Sequence, residues 1–364
     1  MNNLLDEARK IISKTDEEIA KLFVKRMRAV ESVASYKKDN GLPIYDKQRE
    51  EELIRKNSQL IEDSVLREYY VRIQEKTMEV SRAYQTRLLE GMKIAYCGTE
   101  GAYAHIAACK LFPTAKKLGY SSFDDAYKTV VDGECDVCIL PLENSIGGEV
   151  GQVSDLLFFG PLYINEVIEL PISHDLLGVN GTTIADVKSV ISHPQALSQC
   201  RAYIREHGFN EIEYSNTALS AEYVKERGDK SIAAIASAEA AEIFGLEVID
   251  KNINMTRSNT TRFAVLSRSE NRQANKAKGI HTVLLFTVKN EAGSLAKAVE
   301  IIGKHGFNMR SLRSRPMREL LWQYYFYIEI EGSLDTDKGK LMFEELSELC
   351  DRLKSCGTYK NLTE

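Results

Sequence analysis

Glycine and proline are nearly missing from residues 1–90, where Gly41 and Pro43 stand alone within Asn40-Gly41-Leu42-Pro43. That excludes a turn-rich β structure and predicts a long helix, one turn and two further helices. Also missing is any run near the roughly 18 apolar residues of a membrane span, and any strong excess of one charge. A net charge of -5 and a pI near 5.9 give no electrostatic footprint for nucleic acid. The start, Met1-Asn2-Asn3, enters a charged helical pattern with no apolar signal core, so the chain is expected to stay in the cytoplasm. Its seven cysteines are too few and odd in number for a disulfide framework and are expected as free thiols. What is present is 364 residues, 43% hydrophobic and 28% charged, more than one core usually organises. Two or three domains are expected, acting on a small molecule or another protein and on neither nucleic acid nor membrane.

Beyond Gly91 the pattern changes to short β-rich runs such as Lys93–Tyr96, Val137–Leu140 and Ser189–Ile191, alternating with helical patterns and glycine turns. This predicts an α/β domain to about Arg268. A polar stretch from Ser269 reads as a linker, followed by strands over His281–Val288 and Gln323–Glu331 and helices over Ser294–His305 and from Lys338. The expected division is 1–91 all-α, 92–268 α/β, 269–279 linker and 280–364 α+β.

In the first helix, Ile12, Ile19, Leu22, Phe23, Val30 and Val33 fall within about 60° of one line at 100° per residue, and so do Arg26 and Lys37. A buried cation without a counter-charge costs several kcal/mol, so these two must meet acidic side chains or an anionic ligand. Asp46 and Arg49 share a face with Leu53 and Leu60, and Ser81 and Gln85 share one with Val71 and Met78. An internal ion-pair network accounts for the pattern as well as a ligand site does. The set resembles the all-helical (type II) chorismate mutases over residues 4–90. The resemblance implies that Arg9, Arg26, Lys37, Asp46, Arg49, Glu50, Ser81 and Gln85 hold chorismate, a dicarboxylate suited to bidentate arginine contacts. The rearrangement to prephenate needs no nucleophile or cofactor. Lys37, with Gln85, would face the ether oxygen as negative charge develops there. The resemblance also implies an interlocked dimer in which Arg9 serves the partner's site. Ile61-Glu62-Asp63-Ser64-Val65 lies too early to put Ser64 in the site.

Four polar signatures mark the middle domain: Gly98-Thr99-Glu100-Gly101-Ala102, Pro141-Leu142-Glu143-Asn144-Ser145-Ile146-Gly147-Gly148, Ser192-His193-Pro194-Gln195, and Ser258-Asn259-Thr260-Thr261-Arg262-Phe263. The middle two follow apolar strands, where α/β sheets place ligands, and the first opens a helix able to accept a carboxylate. Taken singly, each also reads as a cap or turn. In this order they resemble the prephenate dehydratases over 93–268, implying a two-lobed fold like the periplasmic binding proteins with the site in the cleft. There prephenate loses carbon dioxide and its ring hydroxyl together. The resemblance makes Thr261 the donor to the leaving hydroxyl, with a buried, protonated Glu143 as the alternative. Asn144, Ser145, Ser192, Gln199 and Arg262 would orient the substrate, although Arg262 reads equally as an ion-pair partner. Ala102-Tyr103-Ala104 and Asn216 depart from the family pattern. Cys135-Asp136-Val137-Cys138, a lone pair running into a strand, is expected to be structural, and no metal site is expected. The six histidines are scattered singly, and His193 is expected to pack beside Pro194.

The last module resembles the ferredoxin-like ACT domains. Gly293-Ser294-Leu295 and Ser314-Arg315-Pro316 align with that family's effector motifs, with Arg313 in place of the family's glutamate and no proline before Gly293. The resemblance implies L-phenylalanine as effector and feedback inhibition, and a homodimer or tetramer. The whole chain resembles the bifunctional chorismate mutase/prephenate dehydratases. The alternatives are an active mutase with a non-catalytic middle domain, and a sensor that closes on a small anion.

Overall fold

The computed structural model describes residues 2–256, 258–271, 279–317 and 323–362, and the chain divides into two compact units, Met1–Met92 and Lys93–Glu364. Most of the expected linker, residues 272–278, lies outside the described residues.

The first unit is three helices. α1 (Asn2–Asp39) stops at the Asn40–Pro43 turn, where Gly41 takes φ +64° and Leu42 N–H donates to the Lys37 carbonyl. α2 (Lys47–Ser58) starts on Asp46, whose carboxylate accepts from Arg49 N–H at 3.0 Å. α3 (Ser64–Glu90) starts on Asp63 in the same way and ends at Gly91. Both α1 and α2 pack on α3, around Ala34 and Met78. A helix of 38 residues runs about 57 Å, well past the 27-residue α3. The apolar stripe read as core in α1 is therefore largely uncovered within the chain: Ile12, Ile19 and Leu22 remain 58%, 56% and 64% exposed.

The second unit begins with a parallel βαβα run, β1 (Lys93–Cys97), α4 (Tyr103–Leu111), β2 (Lys116–Tyr120), α5 (Phe123–Val131) and β3 (Val137–Asn144). A short β4 (Gly148–Glu149) folds back on β3, and α6 (Gly151–Phe159) leads into β5 (Tyr163–Pro171). Ile172–His174 then carries the chain into a second lobe of β6 (Asp175–Gly178), β7 (Ser189–Ser192), α7 (Pro194–Gln199), α8 (Arg201–His207), β8 (Asn210–Glu213), α9 (Thr217–Arg227), β9 (Ile232–Ala236), α10 (Ala238–Phe244) and β10 (Glu247–Asp250). Its five strands run in the order β10-β6-β9-β7-β8. The chain returns to the first lobe as β11 (Thr260–Ser267), inserted antiparallel between β3 and β5.

The C-terminal module contributes β12 (Ile280–Thr287), α11 (Ser294–Lys304), β13 (Met309–Pro316), β14 (Tyr324–Glu331), α12 (Asp337–Leu349) and β15 (Arg352–Asn361). Its strands extend the first lobe's sheet into one of ten strands, β13-β14-β12-β15-β5-β11-β3-β1-β2 with β4 beside β3. At the seam, Lys360 and Asn361 pair in parallel with Glu166 and Val167. One core spans the seam: Leu157, Phe158 and Ile164 pack with Tyr325, Tyr327, Cys356 and Tyr359, and the Phe158 and Tyr325 rings stack at 4.3 Å.

Gly357 makes this approach possible. Its φ is +116°, and a Cβ there would lie 2.3 Å from the Ile164 carbonyl oxygen. Gly357→Ala should therefore destabilise the second unit by about 2 kcal/mol or more, seen as a lower midpoint for that unit in thermal denaturation with the helical unit's transition unmoved.

Candidate active sites

In the helical unit the seam between α1 and α3 brings Arg26, Ser81 and Gln85 together. The Arg26 guanidinium donates to Ser81 Oγ and lies 3.4 Å from Met78 Sδ. Burial lowers the Arg26 pKa from its ordinary value. Gln85 Nε2 donates to the Ser81 carbonyl at 3.3 Å, and its Oε1 is buried with no partner among the described residues. Lys37 Nζ donates to the Ile44 carbonyl, and Glu50 pairs with Arg82. Asp46 is spent on capping α2, while Arg49 is exposed beside Glu52 at 3.5 Å. Arg9 is exposed beside Asp6, and 17 positions along one helix put it about 25 Å from Arg26. Within one chain, therefore, Arg26, Ser81 and Gln85 converge and Arg9, Asp46 and Arg49 do not.

The second site lies between the lobes. A cavity of about 390 Å³ is lined by Asn144, His174, Gln199, Asn216, Asn259 and Thr261 among others. Adjacent strands put Thr261 and Asn144 in register, and Asn144 Nδ2 donates to Thr261 Oγ1 at 2.8 Å and to Asn259 Oδ1 at 2.7 Å. Asn144 Oδ1 accepts from the backbone N–H groups of Ile146 and Gly147 at 3.0 and 2.8 Å, which fixes the direction of its amide. Thr261 Oγ is thus an acceptor from Asn144 and keeps its own proton to donate elsewhere. Gln199 Oε1 accepts from Asn259 Nδ2 at 3.0 Å and lies 2.8 Å from His174 Nε2.

No lysine or arginine is among the described residues lining this cavity. Positive potential comes instead from helix N-termini: α4 starts after Ala102 and α9 after Asn216, and both caps line the cavity. Asn216 accepts from Leu219 N–H at 2.7 Å, and Tyr103 donates to the Ser173 carbonyl. Such a site offers neutral donors to an anionic ligand.

Alternation along β3 and β11 sends Glu143 and Arg262 to the opposite face of the sheet. Arg262 donates to both carboxylate oxygens of buried Glu329 at 3.0 Å and to Tyr359 Oη at 2.6 Å. Burial by itself would lower the Arg262 pKa, but Glu329, Tyr359 and Tyr327 together outweigh it and raise it. Glu329 in turn is raised by burial and lowered more by Arg262, Tyr359 and His281 together, ending below its ordinary value. Glu143 pairs with Arg313 at 2.6 Å and lies 3.6 Å from Arg262. It is not among the residues lining the cleft. Ser145 braces the turn before β11, donating to the Ser258 carbonyl and accepting from Thr260 N–H. Ser192 is fully buried and donates to the Ile235 carbonyl at 2.6 Å. Of the residues expected to surround prephenate, Asn144, Gln199 and Thr261 come together; Ser145, Ser192, Arg262 and Glu143 serve the frame.

Neither Asn259 nor His174, both lining the cleft, was assigned a role from the sequence. Asn259 stood inside a signature and was available to a sequence reading. His174 has no local motif and becomes distinctive only through the fold. His193 accepts from Gln195 N–H at 3.2 Å and caps α7. All seven cysteines are free, Cys135 and Cys138 both buried, with burial raising the Cys138 pKa. No cluster able to hold a metal ion occurs among the described residues, and no helix among them is long and apolar enough to cross a membrane.

In the C-terminal module Gly293, at φ +88°, opens α11, and Leu295 lines a cavity of about 470 Å³ with Asn290, Glu291, Tyr324, Phe326 and Arg352. Ser314 and Pro316 lie on the exposed face of β13. Arg315 points the other way onto Asp155, at 3.0 and 3.1 Å, where Tyr325 also donates at 2.6 Å. Any Cβ on Gly151 would overlap that guanidinium.

A model of the prephenate dehydratase family matches residues 94–271, one of chorismate mutase type II residues 8–86, and one of the ACT domain residues 282–340. The chain is 30% identical over 362 residues to the bifunctional chorismate mutase/prephenate dehydratase of Aquifex aeolicus (strain VF5), covering 98% of this chain and 97% of that protein. Among solved structures, GqqA, described as a novel type of quorum quenching acylase, is 33% identical with TM-score 0.69, covering 74% of this chain and 98% of its own. The prephenate dehydratase from Arthrobacter aurescens in complex with L-Phe is 24% identical with TM-score 0.69, covering 75% of this chain and 91% of its own, a likeness of fold.

Replacing Arg262 by Met should destabilise the second unit by about 3–5 kcal/mol, since Glu329 would stay buried without its cation; urea denaturation measures this. Because the folded Glu329 pKa is lowered, its contribution is fully present above the ordinary value of 4.5 and is lost as pH falls through the folded value. Wild type should therefore lose more stability than Glu329→Gln between about pH 5 and 3.

Proposed function

We propose an assignment of residues to reaction steps from one premise: the chain belongs to the bifunctional chorismate mutase/prephenate dehydratase family. It rearranges chorismate to prephenate and converts prephenate to phenylpyruvate in phenylalanine biosynthesis.

For the mutase, Arg26 takes a substrate carboxylate, and Lys37 and Gln85 face the ether oxygen, which gains negative charge as its bond to the ring breaks. Ser81 holds the Arg26 guanidinium; Arg49 and Glu50, beside Glu52 and Arg82 in the single chain, reach the substrate by exchanging those partners, and Asp46 acts by starting α2. The uncovered stripe of α1 supports a homodimer in which a second copy lies against it, burying Ile12, Ile19 and Leu22 and lending Arg9 of the partner subunit to this site. Free thiols support the cytoplasm as the place of action.

For the dehydratase, the observation that carries the reading is the Asn144–Thr261 hydrogen bond at the cleft. With its oxygen already accepting, Thr261 donates to the ring hydroxyl of prephenate. The bond to the ring carboxylate breaks, its electron pair enters the ring, and the ring C–O bond breaks as hydroxide leaves, hydrogen-bonded to Thr261, and takes its proton from solvent. Aromatisation drives the step, so a strong hydrogen bond suffices where a threonine is a weak acid. Gln199 and the N-terminus of α4 hold the carboxylates. Glu143 and Arg262 act on the junction with the C-terminal module. L-phenylalanine is the effector of that module: a cavity beside Gly293–Leu295 supports it, as does the sheet running unbroken from β14 through Glu329 to Arg262, next to Thr261.

Chorismate supplied to purified protein, with prephenate and phenylpyruvate followed together, tests the assignment. Arg26→Ala should lower the mutase rate at least about 100-fold and leave turnover of added prephenate unchanged; Thr261→Ala should lower dehydratase kcat by about 100-fold or more and let prephenate accumulate. L-Phenylalanine should depress the dehydratase rate of wild type, and a rate indifferent to it removes the effector.

A further inference from the structure

The dehydratase cleft holds one buried titratable group that the mechanism above does not use. His174 is 3% exposed and sits on Ile172–His174, the first crossing between the lobes. The second crossing is bonded to it: Ile253 N–H donates to the His174 carbonyl at 2.9 Å, and His174 N–H donates to Asn254 Oδ1 at 3.1 Å. The backbone is thus clamped where the lobes meet, and the imidazole projects from the clamp into the cavity lining, with the Tyr103 ring edge-on at 6.2 Å.

We propose that His174 is a positioning residue for the dehydratase, its Nε2–H pinning the far end of the amide chain Gln199–Asn259–Asn144 that terminates on the Thr261 hydroxyl. The proposal rests on the reading of Thr261 given above. The direction of each bond follows from the fixed end. The Ile146 and Gly147 N–H groups occupy Asn144 Oδ1, so its Nδ2 faces Asn259 and Thr261. Asn259 Oδ1 is then the acceptor and its Nδ2 the donor to Gln199 Oε1. That oxygen can meet His174 Nε2 only if the ring carries its proton there. The other nitrogen agrees: Nδ1 is buried with no hydrogen-bond partner among the described residues, a placement tolerable for a lone pair and costly for an N–H. Burial also lowers the His174 pKa, which favours the neutral ring.

Two donors on Gln199 Oε1 turn the amide nitrogen of Gln199 away from the chain, ready to donate to a carboxylate or hydroxyl. With the histidine donor gone, only Asn259 holds that oxygen. The terminal amide torsion is broad and roughly two-fold, so Gln199 can then turn its oxygen to an anionic substrate and release Asn259. Misplacement of this size costs up to about 100-fold in rate.

The test is prephenate turnover by full-length wild type, His174→Phe, His174→Asn, His174→Gln and Gln199→Leu, with unfolding midpoints measured alongside. Glutamine can place an N–H where Nε2 stands; asparagine reaches only the Nδ1 position, and phenylalanine fills the space without a donor. His174→Phe and His174→Asn should each lose about 10- to 100-fold in kcat, more than any rise in KM, while His174→Gln recovers to within about 5-fold of wild type. In the Gln199→Leu background, His174→Phe should cost little further. Should His174→Phe not fold, the comparison of Asn with Gln carries the test. Equal losses for Gln and Asn, wild-type kcat in His174→Phe or His174→Asn, or full additivity with Gln199→Leu would overturn the role. A fully active Thr261→Ala overturns the assignment beneath it instead.

Discussion

The structure of the second unit depends on the two-residue alternation of two adjacent strands, β3 and β11. Their antiparallel register sets Asn144 opposite Thr261 and Glu143 opposite Arg262. Because successive side chains leave a strand on opposite faces, the first pair enters the cleft and the second enters the seam with the C-terminal module. A cleft-facing hydroxyl and one half of the ion pair with Glu329 are thus consecutive residues on one strand. A shift of register by one would exchange them, sending an arginine into the cleft and a threonine against a buried glutamate.

The seam has the character of a core and not of a loose domain contact. Glu329 is fully buried and satisfied by Arg262 and Tyr359, and Asp155 by Arg315 and Tyr325. Buried charges at such points do little for net stability compared with apolar packing, but removing one partner is expensive, so they fix how the two pieces meet. Arg313, which departs from the family motif, meets Glu143 here. A charge that looks discordant along the sequence has its partner across the seam, on the strand that carries Asn144.

The cleft presents neutral donors in a defined direction. Among the described residues it is lined by amides, a histidine, a threonine hydroxyl and helix N-termini. The helical unit presents the other solution, a partly desolvated Arg26 on a helix seam. The two chemistries differ in the same sense. The rearrangement keeps both carboxylates charged throughout, so cations suit it; the decarboxylation removes one charge, so neutral donors suit it.

Composition, helical periodicity and the order of four polar signatures already carried the three-part architecture, the family resemblance and the naming of Asn144 and Thr261, though not their pairing, as candidate site residues. These are local properties, set by residues near one another in the chain or by strand polarity. What folding decided is which of two adjacent residues faces the cleft. The sequence reading kept Glu143 and Arg262 as cleft residues because a motif does not state its face, and only the register of β3 against β11 turns them toward Glu329 and Arg313. Ser192 looked like a ligand for the same reason, and the fold spends its hydroxyl on Ile235. His174 was invisible among six scattered histidines, since its partner Gln199 is 25 residues away and meets it only where two lobes close on a shared crossing. Hydrogen-bond direction is a property of groups brought together in space, and no spacing along a chain encodes it.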